Sequence, residues 1–110
     1  METGNEMTNQ ELNAACAEIM GITRDEEGDL VEPRLGIFHK IPWNPCERID
    51  QAFMVAEKMQ GTYTVCKSHV NMYWMRLTLL DSVVDGPFCD TPSLAIVKAC
   101  VAAFHKMEGK

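Results

Sequence analysis

The segment from Leu94 to Phe104 constrains the fold more than any other part of the chain. Ten of its eleven residues are apolar, and Lys98 is the one charged exception. Thr91 and Pro92 precede the segment in the order of an N-cap and a first helical residue, which predicts a helix. A helix that is apolar nearly all round must be covered on more than one side, either by a sheet and a neighbouring helix or by a second subunit.

Two shorter helices are predicted earlier in the chain. Thr8 and Glu11 have the spacing of a capping box, so the first helix is expected to begin near Thr8 and to end at Gly21. The second is predicted from about Arg48 to Gln60, with one apolar face. That face consists of Ile49, Ala52, Phe53, Ala56 and Met59.

Extended segments lie between the helices. Residues 71–80 alternate in the period of a half-buried strand, and residues 62–68 are expected to form an antiparallel hairpin with them. A further strand is expected over residues 35–41, and an edge hairpin around the turn at residues 27–29. In the strand over residues 71–80, one predicted face holds Tyr73, Met75, Leu77 and Leu79, and the other holds Trp74, Arg76 and Thr78.

The order of these elements predicts an α+β fold. Three helices are expected to pack on a small antiparallel sheet of three to four strands. The chain has 110 residues, fewer than the roughly 150 residues of a typical domain, so one domain is expected. We place this domain at residues 8–107, after a flexible N-terminus at residues 1–7.

Three segments of the chain share motifs with one group of proteins. Residues 91–99 match the pattern T-P-x-x-A-I-x-x-A. Residues 9–21 end in Met20 and Gly21, and residues 49–59 contain a V-x-E-K-M run at residues 55–59. These segments resemble, respectively, the opening of the last helix, the first helix and the second helix of the phage ABA-sandwich domain family, a group of small bacteriophage proteins. The resemblance implies an α/β/α sandwich and a phage or prophage origin. It implies no activity, because the family carries none that is established.

Charge and hydropathy narrow the range of partners. Sixteen acidic residues against ten basic ones give a formal net charge of −6, which disfavours direct binding to nucleic acid. No apolar run approaches the roughly 20 residues that span a bilayer, so no membrane partner is expected. The polar, acidic N-terminus also differs from a signal peptide. We therefore expect a cytoplasmic protein, in the host cell if the chain is encoded by a phage.

The sequence does not favour an enzyme. The five cysteines and three histidines lack the local pairing typical of zinc sites, so no metal or other cofactor is expected. Cys46 and Cys89 lie among proline and turn residues, where we expect exposed and reactive thiols. With His39 or His69 as a base, they leave a cysteine-dependent enzyme as a remote alternative.

Binding is the remaining expectation, and three residues are candidates for it. Trp43 lies between Pro42 and Pro45, where its indole is either exposed as an interface hot spot or folded back as a lid on the core. Trp74 and Arg76 share one face of the predicted strand. If that face is uncovered, they form an aromatic and cationic patch.

Two functions of different classes fit these features. We favour a small phage accessory protein that binds a host protein stoichiometrically, as an acidic inhibitor of an antiviral defence. The rival is an oligomer that sequesters a small anionic or nucleotide-like ligand near Arg76, Lys67 and Trp74.

The chain is also expected to form a homodimer. In this prediction the apolar third helix pairs with its copy through Ile96, Cys100 and Ala103. The alternative is a compact monomer that buries the whole helix within one chain.

Overall fold

The structure, a computed structural model, describes residues 7–24, 28–31, 41–59, 61–68 and 70–107. The elements are, in chain order, α1 (Asn9–Met20), α2 (Ile49–Lys58), β1 (Thr62–Lys67), β2 (Tyr73–Thr78), β3 (Val83–Asp85) and α3 (Pro92–Met107). The strands form one antiparallel sheet in the order β1-β2-β3. The predicted α+β class, with three helices on a small antiparallel sheet, is therefore confirmed.

Local sequence signals set the ends of α1. The Glu11 amide donates to Thr8 Oγ1 at 3.1 Å, and the Thr8 amide donates to Glu11 Oε1 at 2.8 Å, which completes the predicted capping box. Gly21 follows the helix with a φ of 75°, in the left-handed region that glycine adopts without strain.

The start of α3 also agrees with its sequence signals. The Leu94 amide donates to Thr91 Oγ1 at 3.2 Å, and Pro92 is the first helical residue. Both the cap residue and the helix start were predicted, and both are confirmed.

Three of the five residues on the predicted apolar face of the second helix are buried, namely Ala52, Ala56 and Met59, but the other two are not. Ile49 and Phe53, expected in the core, are 40% and 38% exposed. Gln51 is instead completely buried. Its side-chain carbonyl accepts from the Asn44 amide at 2.6 Å, and its amide group donates to the Pro42 carbonyl at 3.0 Å. These two bonds allow a polar side chain to enter the core and fasten the preceding loop to the helix.

The core lies between the sheet and α3. Met75 and Leu77 on β2 are fully buried and share one cluster with Ile96, Val97 and Cys100 of α3. The predicted alternation of the β2 residues is thus confirmed. Helices α1 and α2 pack against α3, so three elements cover this apolar helix.

The predicted dimer interface is wrong in its residues. Ile96, Cys100 and Ala103 each have 0% exposure within a single chain, so they are not available to pair two subunits. The sheet, α1 and α2 together supply the cover that a partner was expected to supply. Helix α3 is buried within one chain, as the alternative of a compact monomer describes. Whether the chain also forms a homodimer stays a prediction.

Other predictions concern the outer parts of the fold. The described helices all lie on one side of the sheet, with α3 against the strands and α1 and α2 against α3, so a helical layer on the other face, which the resemblance implies, stays a prediction. The expected strand at residues 35–41 and the turn at residues 27–29 lie largely outside the described residues. In the described ranges, no helix combines the length and apolarity needed to cross a membrane.

Candidate binding surface on the sheet

One face of the sheet has no helix from the described part of the chain packed against it, and we call it the open face. Its residues follow from the strand register, since side chains that are paired across strands point to the same side. They are Thr62, Thr64 and Cys66 from β1, Trp74, Arg76 and Thr78 from β2, and Val83 and Asp85 from β3. All are exposed except Cys66 and Trp74, which are half-buried.

Arg76 is held at the centre of the open face by two neighbours. Its Nε and Nη2 donate to Asp85 Oδ1 and Oδ2 at 2.7 Å and 3.2 Å, a two-pronged contact between paired residues of β2 and β3. The Arg76 guanidinium also lies 5.6 Å from the centroid of the Trp74 ring. The hydrogen bonds from Arg76 lower the pKa of Asp85, so both groups stay charged at neutral pH while the pair carries no net charge.

Phe88 joins this surface through a shift in strand register. Arg76 pairs with Asp85, but Tyr73 is bridged to Cys89, one residue later than the regular register requires. The extra residue is a bulge near Gly86, and it places Phe88 opposite Trp74. Their rings are 6.3 Å apart in an edge-to-face arrangement, and Phe88 is 60% exposed. The open face therefore displays two aromatic rings beside a guanidinium.

Trp43 is not exposed, which corrects one of the two interpretations of its loop. The residue is only 5% exposed, and its indole Nε1 donates to the Asn13 carbonyl at 3.0 Å. The Asn13 side chain also accepts from the Cys46 amide at 3.1 Å. The loop thus folds onto α1, and Trp43 lies over the core as the lid alternative describes.

Cys46 and Cys89 are also buried, contrary to the prediction of reactive thiols. Their exposures are 3% and 4%. Burial raises the pKa of Cys46 to about 11 and also raises the pKa of Cys89, so both thiols stay protonated at neutral pH. His39 and His69, the bases proposed for them, lie outside the described residues. All five cysteines are free thiols.

Lys67 does not join Trp74 and Arg76, which corrects the ligand site proposed around these three residues. Lys67 pairs with Tyr73, one position along from the pair of Cys66 and Trp74, so its side chain leaves the sheet on the opposite face. Among the described residues, no group of three or more His, Cys, Asp or Glu side chains could hold a metal ion.

Asp85 and Phe88, which contact Arg76 and Trp74 on the open face, were missed at the level of sequence. Asp85 belongs to β3, which has three residues and is too short to show a clear period of two. Phe88 reaches the surface only because of the bulge, for which the neighbouring Gly86 and Pro87 are a weak sequence signal.

Comparison with known proteins supports the fold. No protein-family model matches the chain, and no curated protein matches it. The chain is similar to the 2.0 Å crystal structure of a phage protein from Bacillus cereus ATCC 14579, with a TM-score of 0.69 and 21% sequence identity. The match covers 94% of this chain and 98% of that one. The two chains therefore share their fold over nearly their whole lengths.

Proposed function

We propose that the chain is a small phage accessory protein that binds one host protein stoichiometrically through the open face. The observation that carries the proposal is the cluster of Trp74, Arg76 and Phe88 on an exposed sheet surface. Tryptophan and arginine are enriched among the residues that dominate binding energy at interfaces. Asp85 orients Arg76 and the Tyr73–Cys89 bridge positions Phe88, so binding orders few additional side chains.

A phage origin is supported by two likenesses. Segments of all three helices resemble the phage ABA-sandwich family, and the fold matches that of a phage protein from Bacillus cereus. A protein of this origin acts among the macromolecules of a bacterial host, so we place the partner in the host cytoplasm.

The net charge of −6 favours a host partner with a basic surface. Because Asp85 balances the charge of Arg76, this pair at the centre of the open face carries no net charge, while acidic groups elsewhere on the chain steer the approach. Proteins that act on nucleic acids carry basic grooves. We extend the proposal to the inhibition of an antiviral defence protein through such a groove.

Affinity capture from host lysate with point variants tests the proposal. The wild-type chain should retain one dominant protein at a ratio near one to one, and raised salt should release it. Trp74→Ala and Phe88→Ser should each lose most of this protein, because each removes an aromatic ring from the cluster.

Phe53→Ser is the matched control. Phe53 is also an exposed phenyl ring, but it lies on α2 beside Tyr63, whose side chain belongs to the inner face of the sheet. This variant should retain the partner. Equal retention by the Trp74, Phe88 and Phe53 variants would show that the open face is not the binding surface. Absence of a stoichiometric partner across several hosts would contradict the proposed function itself.

A further inference from the structure

A groove of about 370 Å³ runs along one stripe of α3, separate from the cluster on the open face. Lys98, Val101, Ala102 and His105 form its floor at the spacing of one helix face. Met7 and Leu12 border it on the side of α1, and Pro87 borders it on the side of the sheet. Its volume is within the range of small-molecule sites.

The groove is apolar along its middle and polar at its ends. Lys98 and His105 are seven residues apart, which separates them by two helical turns, or about 10.5 Å along the axis. Val101 and Ala102 lie between them along the helix, and Leu12 of α1 also lines the groove. A ligand that follows the stripe would therefore meet a cation first and apolar side chains after it.

Lys98 is the one charged residue in the apolar segment from Leu94 to Phe104. The packing of α3 does not require a charge at this position. The residue is half-buried, yet no ion pair or hydrogen bond joins it to a carboxylate within the described ranges. In contrast, Arg48 and Arg76 each contact an aspartate. In a chain with a net charge of −6, a lysine that has no carboxylate partner among the described residues and lies beside apolar surface is complementary to an anion that carries an apolar body.

We propose that this groove binds the anion of a free medium-chain fatty acid. The carboxylate accepts hydrogen bonds from Lys98 Nζ, and the alkyl chain lies over Val101 and Ala102 toward His105. Leu12 and Met7 cover the alkyl chain from the side of α1. The apolar contacts supply the affinity, and Lys98 sets the preference for a negative head group.

Calorimetric titration of the full chain with decanoate, kept below its micellar concentration, tests the proposal. The wild-type chain should bind one decanoate saturably. Lys98→Met keeps the length and apolarity of the side chain but removes its charge, and it should weaken binding about tenfold, the size expected for one charge-assisted hydrogen bond. Decyltrimethylammonium, which has the same tail with a cationic head, should bind more weakly than decanoate.

Two further variants keep the test decisive. Lys106→Met removes a charge from an exposed position of the same helix and should leave decanoate binding unchanged. Ala102→Phe places a ring in the groove from an exposed position, so the chain should stay folded by circular dichroism and lose decanoate binding. Absence of saturable binding to the wild type, equal affinity of Lys98→Met, or full binding by folded Ala102→Phe would each overturn the proposal.

Discussion

Gly86 lies where the end of β3 meets helix α3, and its missing side chain sets the distance between them. A Cβ atom at this position would lie 2.9 Å from the Ala99 Cβ and 3.2 Å from the Ala99 Cα. The second contact involves the helix backbone, which moves less readily than a side chain. The Gly86 amide also donates to the Met75 carbonyl at 2.9 Å, so the chain is held at this point from both sides.

Gly86→Ala should therefore destabilise the fold by about 1 to 3 kcal/mol, the usual cost of an overpacked contact. Urea denaturation of a double-mutant cycle with Ala99→Gly checks the cause. The single Ala99→Gly change costs about 1 kcal/mol through helix propensity. In that background, Gly86→Ala should cost less than in the wild type. An equal cost in both backgrounds would show that the contact with Ala99 is not responsible.

Exposure of single residues was the least predictable property of the candidate site. Trp43 and Trp74 are both tryptophans, but one is buried in a proline-flanked loop and the other contributes to the open face. The position of Trp43 depends on a hydrogen bond to Asn13, thirty residues earlier in the chain, which no local pattern reveals. Trp74 and Arg76 were placed together correctly, because strand alternation is a local property.

At the scale of the elements, the ends of α1 and the start of α3 were predictable because caps act within four residues of a helix end. The β1–β2 hairpin was predictable from alternation and β propensity. The burial of Gln51 on α2 was not, because this residue enters the core only through its bonds to the preceding loop. Strand β3 was missed because its three residues carry almost no periodic signal.

Thr8→Ala tests the importance of the α1 capping box. The change removes the acceptor for the Glu11 amide and should lower the free energy of unfolding by about 1 kcal/mol. Thr23→Ala is the control, since Thr23 is an exposed threonine just beyond the end of α1. It should change stability by less than about 0.5 kcal/mol. Urea denaturation that gives equal effects for both variants would contradict a capping role for Thr8.

At the scale of the whole molecule, helix α3 organises the core. The sheet covers one side of it, and α1 and α2 cover others, so one chain buries an apolar helix that was expected to need a partner. The sequence showed correctly that this helix needs cover on several sides. It could not show that the other elements supply enough cover, because that depends on their angles of packing.

Substitutions at two adjacent alanines of α3 distinguish packing of this helix within the chain from packing between two chains. Ala103 is fully buried whereas Ala102 is exposed. Ala103→Glu should abolish cooperative thermal unfolding, because an unpaired buried carboxylate offsets much of the roughly 5–15 kcal/mol that stabilises a typical domain. Ala102→Glu should retain a cooperative transition. A folded Ala103→Glu chain that merely sediments as a smaller species would restore the dimer interpretation.

The bulge beside Gly86 sets which face of the sheet the residues after it occupy. Phe88 lies next to Trp74 because one more residue separates Asp85 from Cys89 than a regular ladder would hold. If these same residues paired regularly, Phe88 would lie opposite Tyr73 and its ring would point to the side of the helices. Among related chains, a substitution at Gly86 or Pro87 that straightens the strand would therefore alter the recognition surface even where Trp74, Arg76 and Phe88 are all kept.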